Sequence, residues 1–598
     1  MPQLVAGWIA SGLTSIGVGS TLAGALGSIG GALLFSAASR ALAGGGQSSS
    51  DMRQDLRMPR SLPPKRSAYG RCRMPASWLP PIVKDGVLYG CCILNSRPSD
   101  GGDPVIMIDR REVAIGSGLT NFATGASATA SPFSGHAKFW LGLGDQTAPP
   151  AQIMTEVGDA TSTDTAKFWP TDALQGVTVL WVRLVAGDNS SRQERWQSNP
   201  PQIDIEMNWS KVWDPRDEDQ GPDDPDSWTW SDNQALCTLD AIRTNPIRRR
   251  PLAQIMLDDF VLAAGVADEA VPLSVGGSEP RYRLSGFLVW SRGAELLDQL
   301  APMFAAGGGV PRQVGGKVGY LPGKYFAPAV TIGDVLDTNP LRHTSRRPSR
   351  DVPDAFRGTF PDPGQEWEDA DLSPIAVTSR NWDGGDDGVQ PVQFPLVPYA
   401  RQAQRLTQIM ARQAAQEGRL SCVLPPECLD LVVGARVTVD LGGDDVRNGV
   451  WMVETLNPHA WMNGDGGVAF RLDADLRRDQ ASVWAWDPAD EQELYSAAVL
   501  PLDLSLPPPE GLGFTLNLTG DLTFHFDTVV GPGFYEWQIM PDGTGIWQPK
   551  PDLTADLAVS GVITTAATVA AATDIEIRVR SRLGQQASSW VTITATPS

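Results

Sequence analysis

The chain has 598 residues, 42% of them hydrophobic and 20% charged, with 61 glycines, 48 prolines and 20 tryptophans. That length exceeds what one hydrophobic core sustains, and the Gly, Pro and Trp content favours short strands and tight turns over long helical repeats. The formal net charge of −21 repels phosphate backbones and argues against sequence-specific nucleic-acid binding.

Residues 2–39 carry no charged side chain and are rich in Gly, Ala, Ser and Leu. The stretch is long enough to cross a bilayer as a helix, but no Lys or Arg precedes it, which disfavours a secretory signal. Gly27 and Gly31 form a GxxxG pair with Gly24 nearby, so a helix here would present small residues for close packing or membrane contact. Three readings stay open: a lipid-spanning helix, an arm buried against other subunits or another protein, and disorder. Low charge argues against disorder, and the poor helix propensity of Gly- and Ser-rich runs in water favours the buried arm. From residue 47 the composition turns polar and basic, with Pro63-Pro64, as expected of a linker ending near Ser67.

Residues 81–115 read as paired strands about a turn at 97–103, followed by a Ser/Thr/Gly loop at 117–134. The segment 135–190 reads as a small β domain with Trp140, Trp169 and Trp181 available for its core. An extended segment then leads to an acidic loop containing Asp217, Glu218, Asp219, Asp223 and Asp224. Its spacing does not fit a calcium loop, so a solvated acidic loop is favoured. Helices are expected over 233–245, over 252–265 (Ile255, Leu257, Phe260, Val261 and Ala264 on one face) and over 294–306. A hairpin follows, turning at Gly315-Gly316. The stretch 307–317 lacks the glycine spacing and the Ser or Thr of a phosphate loop. The clearest helix is 399–417, with Ala403, Leu406, Ile409, Met410 and Ala414 on one face and Arg and Gln on the other. The strands after it suit a small barrel. A Pro- and Leu-rich hinge precedes 511–598, which has β-sandwich spacing.

Chemistry-bearing patterns are sparse. Cys72, Cys91, Cys92, Cys237, Cys422 and Cys428 include no CxxC pair. Free buried thiols are the favoured reading, and a metal or iron–sulfur site on Cys72, Cys91 and Cys92 is the alternative. His136, His343, His459 and His525 fall in four different segments, none at zinc-binding spacing. No nucleophile elbow or dinucleotide-binding glycine motif stands in the required context. The expectation is a protein without cofactor, metal or catalytic residues.

Five segments, in order, resemble one family. They are ILNSRP (93–98); the Val212, Trp213, Asp214, Pro215, Arg216 run; Asn233, Ala235, Asp240, Thr244 and Pro246 of the following helix; the strand, helix and hairpin over 278–320; and Asp362, Pro363 and Trp367. Together they resemble the lambda-like siphophage tail-tip hub (host-specificity, central fibre) proteins over roughly residues 80–490. The resemblance implies a multidomain, mainly β protein with α+β insertions, tail-hub barrels and a C-terminal β-sandwich similar to fibronectin type III domains, with Trp537 in its core. It implies a homotrimer at the distal end of a virion tail, assembled in the host cytoplasm. Its partners would be a distal tail protein, a tape-measure protein and the host surface or membrane, with viral DNA passing through unbound. The expected map is an arm (1–50), linker (51–66), hub β domain (67–125), inserted β domain (126–199), return to the hub (200–250), α+β domain (251–395), helix plus barrel (396–490), hinge (491–510) and sandwich (511–598). The chain departs from the family in lacking a long C-terminal extension and in carrying the apolar arm. Two other functions compete: a receptor-binding adhesin acting through the C-terminal domain, and a cell-wall hydrolase using a carboxylate pair.

Overall fold

The computed structural model describes residues 63–492 and 508–595, apart from short stretches within each. The apolar arm, and with it Gly24, Gly27 and Gly31, lies outside the described residues, as does most of the hinge. The protein is multidomain and mainly β. It divides into two compact units at 495/496.

The larger unit begins with two sheets that share one core. The first runs Ser77–Trp78, Val87–Asn95, Thr178–Val185, Ala137–Gly142, Ala126–Ser127, with Ile82–Lys84 also on Val87–Asn95. The second runs Arg71–Pro75, Ile203–Asn208, Val105–Ile108, Arg111–Val113. The expected pairing of 81–95 with 104–115 is therefore corrected: the two halves belong to different sheets. The division expected at 125/126 also runs through the first sheet. The reason is that Val87–Asn95 is apolar on both faces and needs neighbours on both sides. Cys92, Leu94, Leu180 and Phe139 face the shared core, while Tyr89, Cys91, Trp181 and Trp140 face a second cluster. Helix α1 (Ala151–Val157) covers that second face with Ile153 and Val157. Trp140 and Trp181 are buried as expected, but Trp169 is 49% exposed, beneath the Lys167 ammonium.

Helices α2 (Gln234–Thr244), α3 (Leu257–Ala267), α4 (Leu296–Ala306) and α5 (Ala400–Ala415) build the next core, together with the hairpin Val310–Val314/Lys317–Leu321 and a sheet centred on Ala355–Asp362. Asn233 caps α2, accepting from the amides of Ala235 (3.1 Å) and Leu236 (3.3 Å). Helix α3 starts later than its periodicity suggests. Ile255 is drawn into a bridge with Val318, and Met256 N donates to Val318 O (2.9 Å), so only a short turn precedes Leu257. The Gly315-Gly316 turn has φ of +58° and +81°, which glycine adopts freely.

Helix α5 departs most from its amphipathic pattern. Ala403, Leu406, Ile409 and Met410 are buried, but so are Gln402, Gln404, Arg405 and Gln413. The polar face is clamped rather than solvated. Gln402 accepts from Arg283 N (2.8 Å) and donates to Ala306 O (2.9 Å), while Arg405 pairs with Glu279 and donates to Arg281 O (3.0 Å).

A six-stranded sheet completes this unit, in the order Val330–Ile332, Arg436–Val439, Gly449–Met462, Val468–Arg478, Arg419–Leu424, Arg342–Thr344. Its two edge strands are joined by residues 333–341 alone, and Ile332 on one edge shares a core with Leu420, Trp451 and Leu476. From the other edge, His343 packs on Trp451 with ring centroids 5.9 Å apart.

The smaller unit is a sandwich. Strands Glu510–Leu516, Leu522–Asp527 and Val562–Ala567 form one sheet. Phe534–Pro541, Ile575–Leu583 and Val591–Ala595, with short strands at the edges, form the other. Trp537 packs on Phe524 with centroids 4.6 Å apart, and its Nε1 donates to Pro551 O (2.9 Å). Trp537→Ala should lower the stability of this unit by about 3–5 kcal/mol. Calorimetry of the full chain should then show one transition shifted down and the rest unmoved.

Candidate functional site

The residues singled out by the family resemblance are scattered along the chain, yet several of them serve as polar joints between its elements. Arg97, at the end of ILNSRP, reaches the buried carboxylate of Asp240 on α2, its Nη2 donating to Oδ1 (3.0 Å). Tyr69 Oη donates to the other oxygen (2.8 Å), and Arg97 Nη1 also donates to Thr244 Oγ1 (2.8 Å). The guanidinium lies 5.9 Å from the centre of the Tyr69 ring. Burial pulls the Arg97 pKa down and pushes that of Tyr69 up. In the same motif, Asn95 Nδ2 donates to Ser99 and Ser210 hydroxyls (3.0 Å each).

The Asp-Pro-Arg run makes a second joint. Arg216 grips Asp214 with Nε on Oδ1 (2.9 Å) and Nη2 on Oδ2 (2.7 Å), then reaches Asp268 at the end of α3 (2.8 Å). Asn233 donates to the same Asp268 (2.8 Å) and to Ala264 O (3.0 Å), locking the start of α2 to the end of α3. Burial alone would push the Asp214 pKa up, but hydrogen bonds from Arg216 outweigh it and hold the carboxyl below its usual range. A third joint uses Trp367, whose Nε1 donates to Glu206 Oε2 (2.9 Å). Glu366 and Trp367 both hold left-handed backbone (φ +56° and +64°), a conformation that a bulky side chain adopts only when its surroundings enforce it.

The acidic loop is pinned by its backbone. Three consecutive carbonyls, of Gln220, Gly221 and Pro222, accept from Trp213 Nε1 (3.3 Å), Trp228 Nε1 (2.7 Å) and Arg243 Nη2 (2.6 Å). The Arg243 guanidinium lies between the two indoles, 4.7 Å from Trp213 and 5.8 Å from Trp228. The acidic residues of the loop are exposed around this pinned backbone, with Asp217 accepting from Asp219 N (3.0 Å) and Gln220 Nε2 (3.1 Å).

One face of the six-stranded sheet carries charge. Arg436 stands opposite Met452, Met452 opposite Arg477, and Arg477 opposite Arg419. Arg436 pairs with Asp479 at 2.6 Å, both side chains 2% exposed, and Tyr325 and Trp484 cover the guanidinium at 4.9 Å each. Glu454 lies 3.4 Å from both Arg477 and Arg419. Burial lowers the pKa of Arg477 and brings that of Arg419 down to about 10.

Among the described residues no three His, Cys, Asp or Glu side chains group as a metal site. All six cysteines are buried, and none is joined in a disulfide. Cys91 and Cys92 point to opposite faces of one strand, so they do not converge on a common ion. Of the histidines, His459 lies 3.1 Å from Asp473 and His343 sits against Trp451. No described helix is long and apolar enough to cross a membrane. Sequence reasoning found the motif residues but not their partners Tyr69, Glu206 and Asp268, nor the Arg243 clamp. The one available signal was the number of tryptophans flanking charged loops.

Residues 298–456 match the family described as "Putative phage tail protein". The match supports a structural protein of a phage tail. It takes in most of α4, the glycine hairpin, α5 and much of the charged sheet. No curated protein matches the chain. A chain from the virion of a native gene transfer agent particle is similar at 15% identity and a TM-score of 0.47, over 80% of this chain and 99% of its own. That likeness is too distant to carry function.

The joints can be weighed by mutation. Arg97→Met would leave Asp240 buried without its cation and should cost about 3–5 kcal/mol. Adding Asp240→Leu should recover most of that loss in denaturant titrations.

Proposed function

We propose that the chain is the central hub of a phage tail tip, closing the tail tube and taking part in host attachment and DNA ejection. The observation that carries this reading is the match to a phage tail family over 298–456. The five motifs that resemble tail-tip hub proteins in the same order support it, and several of their residues serve as joints between elements. A tube end needs closed cyclic symmetry, and a homotrimer answers that need. Its neighbours in the tip are a distal tail protein and a tape-measure protein. The net charge of −21 suits a channel that must let viral DNA pass without holding it. The apolar arm is either packed inside the tip or inserted into the host membrane through Gly24, Gly27 and Gly31.

The smaller unit is a fibronectin type III-like domain in this reading, supported by its three-strand sheet packed on a sheet built around Phe534–Pro541, Ile575–Leu583 and Val591–Ala595. A second reading, a receptor-binding adhesin acting through this unit, draws on one observation. Arg578 is stacked between Trp547 (4.1 Å) and Trp590 (4.4 Å), and Arg580 lies 4.3 Å from Trp590, so the outer sheet face displays a stiff aromatic and cationic ladder.

Co-expressed with the neighbouring tail proteins, the chain should sediment as a trimer, and antibodies to residues 508–598 should label the far end of tails in electron micrographs. A monomer under co-expression, or label on the head or along the shaft, would overturn the hub. Blocking of adsorption by the smaller unit alone would favour the adhesin.

A further inference from the structure

Beside the pinned acidic loop lies a cavity of about 530 Å³, bounded by that loop on one side and by the segment leaving α2 on the other. Its walls are of two kinds. Pro222, Trp228 and Pro246 supply flat apolar surface, while Arg243 and Arg249 supply charge. We propose that this cavity is a docking pocket for a carboxylate carried on an extended, proline-containing segment of a neighbouring protein in the particle. The identity of the neighbour rests on the tail reading; the chemistry of the pocket does not.

The cation at the wall is preorganised. Arg243 is held between the Trp213 and Trp228 rings and tied to Pro222 O, with its side chain only 10% exposed. Its nearest carboxylate, Asp223, is 3.6 Å away and 98% exposed, so water competes for that pair and leaves it weak. Arg249 is exposed at the rim and makes no ion pair among the described residues. The pocket thus carries two guanidinium groups against one solvated carboxylate. The end of α2 faces this region, and the negative end of a helix would repel an anion. That charge is already answered: Arg243 sits in the last turn, and Arg250 N donates to Ile242 O (3.0 Å). A fixed guanidinium favours a carboxylate over a neutral polar group, and its planar fork discriminates better than an ammonium. Flat walls of tryptophan and proline suit an extended prolyl backbone, which loses little entropy on binding. The volume admits a few residues, not a folded domain.

The test is fluorescence anisotropy of a labelled acetyl-Ala-Pro-Asp-Pro-Glu-Pro amide peptide against the full chain. We expect saturable binding that Arg249→Glu weakens by about tenfold or more and that added salt weakens as well. Circular dichroism would check that this exposed substitution leaves the fold intact, and Arg249→Gln is the milder variant if it does not. Arg243→Lys should weaken binding too, since the charge stays but the fork is lost. Equal binding of the peptide with Asn and Gln in place of its acids would overturn the proposal. So would insensitivity to both Arg249 variants, or no saturable binding at all. Inorganic phosphate competing as strongly as the peptide would reduce the pocket to a simple anion subsite and overturn the peptide. Because binding is measured on the isolated chain, its failure removes the pocket and leaves the tail reading standing. Labelling that places the chain off the tail does the reverse.

Discussion

A buried guanidinium must find both an acceptor for its edge and something tolerant for its faces, and this protein meets that demand repeatedly with an aromatic ring. Arg97 has Asp240 and Tyr69, Arg436 has Asp479 with Tyr325 and Trp484, and Arg243 has Pro222 O with two indoles. Arg283 pairs with Glu279 at 3.2 Å and lies 3.6 Å over the Tyr399 ring. The ring covers the weakly hydrated face of the cation while the carboxylate binds in its plane, so neither contact displaces the other. Arg66 departs from the pattern. It is fully buried, donates to Ile93 O, and has no carboxylate partner among the described residues; burial brings its pKa down to about 9.

That constraint accounts for two compositional facts together. Of the 48 basic residues 40 are arginine, and tryptophan stands at 20. Lysine could not replace arginine at these joints, because an ammonium offers no planar face to a ring and no fork to a carboxylate. The joints also differ from apolar packing in what their loss means. Removing one partner leaves the other charge desolvated, whereas removing both together is close to neutral. Segments far apart in the chain, such as Arg97 and Asp240 or Trp367 and Glu206, are therefore held in one register, with little room to slide.

How much of this was legible in the sequence follows from the kind of signal involved. Helices α2, α4 and α5 were visible because apolar spacing of three and four survives whatever packs on it. The start of α3 was not, since the bridge from Ile255 to Val318 is a tertiary contact that overrides local periodicity. Strand Val87–Asn95 could be recognised, but not its partners: a strand apolar on both faces does not say which neighbour lies on which side. The same limit hid the true extent of the first sandwich. The polar face of α5 reads as solvated by pattern alone, and only the clamps on Arg283 and Glu279 reveal why Gln402 and Arg405 are buried. The acidic loop was seen, but its stiffness comes from Trp213, Trp228 and Arg243, which contact its carbonyls rather than its carboxylates.

The location of the charges also sharpens what a net charge of −21 means. Many of the arginines are spent inside joints, so their cations face carboxylates and rings rather than water. Other acidic side chains lie outside the joints. Asp217, Glu218, Asp219, Asp223, Asp224, Asp383, Asp386 and Asp387 are all exposed. The surface keeps an acidic balance all the same, because each buried pair withdraws one cation and one anion together. Such a surface repels polyanions over a distance set by salt, about 8–10 Å at ordinary ionic strength, while the interior keeps its arginines out of their reach. The residues that hold the fold and the residues that set its long-range field are therefore nearly separate populations, and substitutions in one should leave the other largely as it is.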